Sequence, residues 1–473
     1  MEVANSKTNL INIIKRSNKD FIENELRPFL RIPSHTLNYE GIQKAKNYII
    51  SYISDLSEEI DEIKGEINPL ILARIEGEIK ESLLVYMMYD TQPISNEKEW
   101  INSPFKAEIR TLSPPLNKLN KCIIARGAYN SKTPLISFLN IIKILKKNNK
   151  LPISLLLLFD GEEEKGSPSL LKFLEKGKNI NLFKESLGIY YPAIKQDLNQ
   201  NSILKLGYKG ILSLTIRITS THQQPHSAFS GIVPNPALDL ISLLNMIYRN
   251  NQFQIESLKN PYKLTMEEQA ILDGLLKELS IEEVKKKAGI EELIEEDPRK
   301  AFLNYLFKPT FNISTLKSGF LKEGTKNFVP NHAICNIDIR FAHNVSTDLI
   351  WRDVKNKVEE FSKRTKSQVE IIKNIGYESS RIDKDSYLVK SLVKSAEYLG
   401  FCTVLWPLSA AAAPLSKIQK ETGLEFITGG LGIGGFAHST NEFIQLDSII
   451  NTRLSYYYFL KEYSRLIKQK TKT

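Results

Sequence analysis

The sequence feature that most constrains the fold is a run of apolar residues that ends on a cluster of carboxylates. Ile153 to Phe159 is almost wholly apolar, and Gly161 to Ser167, which reads Gly-Glu-Glu-Glu-Lys-Gly-Ser, follows it closely. An apolar run of this length with turn residues after it is typical of a buried strand. Such a strand would deliver adjacent carboxylates to a glycine turn, which suits a general base beside a metal ligand. A solvated acidic loop is the alternative, and Glu-Glu-Glu alone favours it.

The periodicity around this run predicts an α/β protein. Strand-like runs at Leu70 to Ile75 and Leu83 to Tyr89 precede a helix-like segment at Pro134 to Lys147, which leads into the apolar run. Alternation of strands and helices is typical of a mostly parallel sheet. Further along, alternating strands with separate helices indicate an α+β insertion before the α/β pattern resumes. The sequence therefore predicts an α/β domain in two segments, interrupted by a second domain.

Composition and charge exclude several classes of partner. The formal net charge of +10 comes from scattered lysines. Nucleic-acid binding needs a clustered basic face, so we expect no nucleic-acid partner. No stretch of eighteen apolar residues is present, so we expect no membrane association. The widely spaced Cys122, Cys335 and Cys402 favour reduced thiols, and the first residues lack the apolar core of a signal peptide. We therefore expect a cytoplasmic protein.

Four segments carry a resemblance to a known family. They are Leu84 to Pro93 (Leu-Val-Tyr-Met-Met-Tyr-Asp-Thr-Gln-Pro), Arg126 to Lys132 (Arg-Gly-Ala-Tyr-Asn-Ser-Lys), the acidic cluster, and Ala437 to Glu442 (Ala-His-Ser-Thr-Asn-Glu). In this order and spacing they resemble the dinuclear zinc peptidase family of carnosine dipeptidase, carboxypeptidase G, acetylornithine deacetylase and succinyl-diaminopimelate desuccinylase. The resemblance covers nearly the whole chain. It implies a catalytic domain at residues 1–207 and 379–473, interrupted by a lid or dimerisation domain at residues 208–378.

The resemblance also implies two zinc ions held by five side chains, and three of those positions carry other residues here. Met88 stands where a His is expected, Asn130 replaces the bridging Asp, and Tyr191 lies in the stretch that should supply another Asp. Glu164 and His438 match the remaining two positions. A thioether and a neutral amide are poor zinc ligands. We therefore expect no cofactor, or at most one weakly held zinc bound by Glu164, His438 and Asn130.

Other positions match the family's functional residues. The resemblance makes Glu163 the general base and His226 the lid histidine that, in the family's dimers, polarises the scissile carbonyl in the partner's site. A lone His is more often structural, and that alternative stays open. Arg340 would hold a substrate carboxylate through its forked donors, and Asn312 would contact the substrate. Asp90 matches the residue that would orient the missing His, so here it is either a structural remnant or has a new partner. The further residues expected to face the substrate are Asn130, Glu164 and His438.

The functional expectation is an enzyme acting on a small molecule. We expect hydrolysis, cyclisation or acyl transfer at an amide or acyl bond of a carboxylate-bearing amino-acid or peptide-derived substrate, without the family's two zinc ions. A homodimer joined through the lid domain follows from the role given to His226. The alternative is an inactive pseudo-peptidase that binds such a ligand or a protein partner. A conventional zinc dipeptidase or deacylase ranks third.

Overall fold

The computed structural model describes residues 10–288 and 290–470, and these form two compact units. The first unit comprises the chain up to Leu206, the segment Ile382–Trp406 and the chain from Ile418 on. The second comprises Gly207–Arg381 and Pro407–Lys417. The use of residues 208–378 as a lid or dimerisation domain stays a prediction.

Within the described residues, the two largest sheets contain ten strands, numbered in chain order. They are β1 (Glu59–Ile63), β2 (Leu70–Ile75), β3 (Ile79–Met88), β4 (Ile153–Asp160), β5 (Ser186–Pro192), β6 (Gly210–Thr219), β7 (Thr310–Ser318), β8 (His332–Phe341), β9 (Gln368–Tyr377) and β10 (Phe426–Gly429). Shorter strands are Glu108–Arg110, Cys122–Ile124, Ser202–Lys205, Gly207–Tyr208, Tyr248–Arg249, Gln252–Phe253, Ser380–Arg381, Thr403–Trp406, Gly434–Gly435 and Phe443–Gln445.

The first unit is built on a sheet with the strand order β1-β2-β4-β3-β5-β10. Strand β3 pairs in parallel with β4 and β5, and β5 pairs in parallel with β10. Only the edge pairs β1–β2 and β2–β4 of this sheet are antiparallel. The expected α/β class with a mostly parallel sheet is therefore confirmed. Strand β4 is buried along its whole length, and its parallel register with β3 places Met88 beside Asp160.

The second unit is built on an antiparallel sheet with the strand order β7-β8-β6-β9. Buried and more exposed residues alternate along β8, because successive side chains of a strand point to opposite faces. The helices Pro236–Ile247 and Thr347–Ser362 pack on the buried face of this sheet. The other face of the sheet is free to carry polar side chains.

Helices cover both sheets and connect their strands. In the first unit, Lys132–Lys147 packs on β3 and β5, and Ile449–Lys470 packs on Lys132–Lys147 and on Tyr387–Glu397. The other helices include Asn18–Phe21, Ile22–Leu26, Arg27–Leu30, Tyr39–Ile53, Pro168–Leu174, Gly177–Lys184, Glu256–Lys259, Met266–Glu278, Ile281–Ala288, Pro298–Leu306 and Leu415–Thr422. None of the helices in the described part of the chain has the length and apolar character needed to cross a membrane.

Candidate active site

The acidic cluster forms a tight turn at the end of β4. Residues Glu163–Lys165 make one turn of 3-10 helix directly after the strand. Asp160, the last residue of β4, is fully buried and accepts hydrogen bonds from the backbone N–H of Glu162 at 2.8 Å and from the Tyr86 hydroxyl at 3.0 Å. The buried strand therefore ends in a carboxylate that fixes the turn, and the alternative of a solvated loop is excluded for this segment.

Asp90 positions the two carboxylates predicted to be functional. It follows β3 and is fully buried. Its Oδ1 accepts the backbone N–H of Glu163 at 3.2 Å, and its Oδ2 accepts that of Glu164 at 3.1 Å. Burial, with the nearby Asp160, raises the pKa of Asp90 well above its ordinary value. Asp90 thus holds the backbone of the turn, which is a different task from orienting a His.

Glu163 lies in surroundings that are unfavourable for a charge. Burial, followed by the carboxylates of Glu164 and Asp160, raises its pKa to about 8. Burial also raises the pKa values of the Tyr86 and Tyr191 phenols well above the ordinary value, with Glu163 adding to both shifts. A carboxyl group that readily takes a proton, with neutral phenols near it, suits general acid–base chemistry.

Glu164, Asn130 and His438 contact one another, although they are far apart in the sequence. The Glu164 Oε1 atom lies 3.2 Å from both Nδ2 of Asn130 and Nε2 of His438, and Nδ2 of Asn130 lies 3.2 Å from Nε2 of His438. Gln92 donates to the other oxygen of Glu164 at 2.7 Å. The hydrogen bond to Glu164 is the main cause that raises the pKa of His438. The structure therefore brings together three of the predicted site residues.

Glu442 fixes the loop that carries Asn130, a role the sequence does not reveal. Its carboxylate is 1% exposed and pairs with Arg126 at 2.8 Å. It also accepts the backbone N–H groups of Gly127 at 2.9 Å, Tyr129 at 2.9 Å and Asn130 at 2.7 Å. A buried carboxylate with this many donors is a rigid clamp. The resemblance motif contained Glu442, but nothing local marked it as more than a neighbour of His438.

Glu162 is a second clamp that sequence reasoning missed. It is fully buried, and its Oε1 accepts the backbone N–H groups of Ile67 at 2.7 Å and Asn68 at 2.5 Å. Its Oε2 accepts both the backbone N–H of Ser169 at 3.0 Å and the Ser169 hydroxyl at 2.7 Å. The first Glu of the three is thus structural. Ile67 and Asn68 lie more than ninety residues before it in the sequence, so the local pattern carried no signal for these contacts.

Met88 and Tyr191 lie at the ends of neighbouring strands beside the turn. Met88 is the last residue of β3 and is 1% exposed. The Tyr191 hydroxyl lies 2.9 Å from Oγ of Ser131, and its ring meets that of Tyr86 edge-on at 5.1 Å. Tyr191 therefore faces the loop that carries Asn130, on the side of Glu163.

The remaining predicted residues belong to the second unit. His226 is exposed, and its Nδ1 accepts the backbone N–H of Ala228 at 3.2 Å. In the β7–β8 register, Asn312 stands opposite Asp338, two positions from Arg340 on the same strand face. Asn312 and Arg340 are therefore brought to one face of this sheet.

Lys209 is a buried cation beside Arg340 that the sequence did not single out. It is 1% exposed, and its Nζ donates to the backbone oxygens of Tyr305 at 2.9 Å and Lys308 at 2.8 Å. Burial first, and the charge of Arg340 second, lower its pKa to about 7. The burial of Lys209 and the charge of Arg340 therefore both disfavour the protonated form of Lys209.

The chain is similar to known peptidases in both sequence and structure. The model of Peptidase family M20/M25/M40 matches residues 84–462. A Cys-Gly metallodipeptidase of Candida albicans is 23% identical over 439 residues, which cover 90% of this chain and 87% of the relative. A Beta-Ala-His dipeptidase of Rattus norvegicus is 25% identical over 306 residues, covering 63% of this chain and 59% of the relative. The crystal structure of an M20 family metallo-carboxypeptidase from Sulfolobus solfataricus superimposes with a TM-score of 0.83 at 27% identity, covering 93% of this chain and 98% of that one.

The comparisons correct the expectation about the cofactor. The expectation of no cofactor, or at most one weakly held zinc, is wrong. The family match covers most of the chain, and both the Candida albicans relative and the Sulfolobus solfataricus structure are metallopeptidases. The family match therefore gives no support to an enzyme that works without a metal.

The side chains of this site fit a divalent metal in part. Glu164 and His438 are of the types that zinc takes. The amide of Asn130 lies beside them with Nδ2 towards both, while its Oδ1 accepts from the Ser131 hydroxyl at 3.1 Å. Across residues 10–288 and 290–470, no group of three or more His, Cys, Asp or Glu side chains is arranged to hold a metal ion.

Proposed function

Because the chain belongs to Peptidase family M20/M25/M40, we propose that it hydrolyses the amide bond of a small peptide with a free carboxylate. The main support for this proposal is the arrangement of carboxylates in the turn after β4. There, Asp90 holds the backbone of Glu163 and Glu164 so that Glu163 lies beside the group of Glu164, Asn130 and His438. The conventional dipeptidase, which the sequence alone placed third, is thus the interpretation we adopt.

Glu163 is the proposed proton carrier. It takes a proton from the attacking water as the water oxygen bonds to the amide carbon, and it returns that proton to the leaving nitrogen as the carbon–nitrogen bond breaks. Its raised pKa suits both halves of this transfer. A divalent metal, when bound by Glu164 and His438 with Asn130, supplies Lewis-acid polarisation of the carbonyl.

Arg340 and Asn312 are the proposed substrate contacts of the second unit. A guanidinium can bind a carboxylate through two parallel hydrogen bonds, which fixes the orientation as well as the charge of the ligand. Arg340 and Asn312 share one sheet face, which supports their acting on one ligand. The named relatives act on Cys-Gly and on β-Ala-His, and a dipeptide with a C-terminal carboxylate is therefore the proposed substrate class.

A homodimer joined through the second unit is part of the same proposal. His226 is exposed and would polarise the scissile carbonyl in the partner's site. Apolar side chains are exposed near it: Phe229 is 50% exposed, Ile232 80% and Leu238 60%. The edge strand β7 also presents exposed apolar residues. Exposed apolar groups and an open sheet edge are features of association surfaces.

The activity is tested with Cys-Gly and β-Ala-His, each assayed with Zn²⁺ or Mn²⁺ supplied. Replacing a general base is expected to lower kcat by about 10²- to 10⁴-fold, so Glu163→Gln should show that loss while KM changes little. The matched control is Glu175→Gln, an exposed carboxylate of the same unit, which should leave both constants unchanged. Turnover that survives Glu163→Gln would contradict the proposed role. Peptide binding without turnover by the wild type would instead favour the inactive binding protein.

The homodimer is tested by light scattering at micromolar concentration. Wild-type protein should have twice the mass of the chain. The double change Leu238→Glu and Ile241→Glu places charges on the exposed face of the helix Pro236–Ile247 and should give the monomer. A monomeric wild type would contradict both the dimer and the role of His226 in a partner's site.

A further inference from the structure

A cavity lies in the first unit, and its described lining does not include the residues of the candidate active site. It has a volume of about 450 Å³ and lies between the segment after β1 and the helices Pro168–Leu174 and Gly177–Lys184. A cavity of this size can hold a small molecule. Its charged lining residues are Lys64, Glu66, Lys172, Lys176 and Lys178.

Positive charge is in excess in this cavity. Glu66 forms an ion pair with Lys172, which accounts for one of the four lysines. Within the described residues, Lys64, Lys176 and Lys178 contact no carboxylate. Four cations at one concave surface repel each other, and a bound anion would relieve that repulsion.

The start of the helix Gly177–Lys184 adds a further attraction for an anion. Lys176 precedes the helix, and no side chain caps its first N–H groups. Unbonded N–H groups and the helix dipole give a helix N-terminus partial positive charge. A Cβ atom built on Gly177 would meet nothing within 4 Å, so this end of the helix is open to a ligand.

We propose that this cavity binds a small, compact anion with at least two negative charges, of the phosphate or polycarboxylate class. Lysine ammonium groups act as point charges, so they serve either chemistry. The site is independent of the proposed peptidase activity, and none of its described lining residues belongs to the candidate active site.

One wall of the cavity is joined to the catalytic turn by hydrogen bonds. Ser169, which lines the cavity, accepts the backbone N–H of Glu66 at 2.6 Å and donates to Glu162 at 2.7 Å. Glu162 in turn holds the N–H groups of Ile67 and Asn68 and directly precedes Glu163. An anion that orders the wall should therefore slow exchange of the Ile67 and Asn68 amide hydrogens.

Calorimetric titration with pyrophosphate and with citrate tests the site. The titrations use about 0.15 M salt to screen diffuse attraction. The cavity variant is Lys176→Gln with Lys178→Gln. The control is Lys147→Gln with Lys150→Gln, which changes the net charge equally at exposed lysines outside the cavity. Circular dichroism checks that all three proteins fold.

We expect at least one of the two anions to bind the wild type and the control alike. Binding to the cavity variant should be tenfold weaker or more. Tighter binding of pyrophosphate assigns the ligand to the phosphate class, and tighter binding of citrate assigns it to the polycarboxylates. Equal affinity in all three proteins, or binding of neither anion to the wild type, would overturn the proposal. Hydrogen exchange at Ile67 and Asn68 is the second readout, and it avoids activity assays in which pyrophosphate could remove a metal.

Discussion

Two neighbouring groups of carboxylates in the first unit differ in what surrounds them: Glu162 and Glu442 are buried, and Glu163 is half-buried. Glu162 and Glu442 are surrounded by donors, with two hydrogen bonds to each carboxylate oxygen. Glu163 faces Glu164 and Asp160, and within the described residues no donor bonds its carboxylate. Glu162 and Glu163 are adjacent in the chain, yet one is a clamp and the other is placed for chemistry.

The difference shows how the turn combines rigidity with reactivity. A buried carboxylate costs stability unless donors replace the water it loses. The clamps offset part of that cost with N–H groups, although burial still raises the pKa of Glu442, and they thereby hold the loops in place. Glu163 is left without such donors, which leaves it free to exchange a proton but makes its surroundings unfavourable for a charge. Substitutions at Glu442, Glu162 and Glu163 should therefore change the free energy of unfolding by different amounts, and not all in the same direction.

Glu442→Gln should be the most destabilising of these changes. It removes the charge that compensates Arg126, which is only 3% exposed. Breaking a buried ion pair typically lowers the free energy of unfolding by about 3–5 kcal/mol. Denaturant unfolding measures the change. Glu40→Gln is the control, because Glu40 pairs with Lys44 at the surface, where its side chain is 78% exposed; little or no loss is expected there. Equal effects at the two positions would mean that Glu442 is no clamp.

The clamps also mark the limit of what the sequence could predict. The apolar run and the glycine turn indicated strand β4 and the placement of Glu163 and Glu164, because these depend on neighbours in the chain. The meeting of Asn130 with His438 followed only from the resemblance. Glu442 bonds N–H groups more than three hundred residues away, and no local pattern encodes such a contact.

Glu162→Gln should destabilise the first unit by a smaller amount. An amide has only one acceptor oxygen, so its NH₂ group would face two of the four donors that now bond Glu162. Leaving buried donors unsatisfied costs about 1–3 kcal/mol. The same denaturant measurement applies, with Glu175→Gln as the exposed control in the same unit. A loss no larger than that of the control would remove Glu162 from the group of clamps.

Glu163→Gln should raise the free energy of unfolding, whereas Glu442→Gln and Glu162→Gln should lower it. Replacing a charge that faces two other carboxylates with a neutral amide relieves repulsion, and active-site residues often cost stability in this way. We expect the free energy of unfolding at pH 8.5, where the wild-type group is mostly ionised, to rise by up to about 1 kcal/mol. A loss of stability comparable to that of Glu162→Gln would show that Glu163 also stabilises the turn. The proposed difference between these two adjacent residues would then be wrong.

In the second unit, Lys209 is a basic group in surroundings like those of Glu163. It is buried, and the nearby charge of Arg340 has the same sign as its own. Its pKa in the folded protein is about 7, against an ordinary lysine value of 10.5. Between these values the unfolded state binds more protons, so stability should rise as the pH increases from 7, by at most about 1.4 kcal/mol per pH unit. The two hydrogen bonds to Tyr305 and Lys308 survive, since a neutral amine keeps two N–H groups.

Lys209→Met should therefore flatten the pH dependence rather than simply lower stability. Unfolding free energies at pH 7, 8 and 9 give the slope for the wild type, for Lys209→Met and for Lys263→Met, the last being an exposed lysine of the same unit. The slope should fall only in Lys209→Met. An unchanged slope would mean that Lys209 stays charged across this range. The two carbonyl groups would then compensate its ammonium group, and the contrast would be confined to the carboxylates of the first unit.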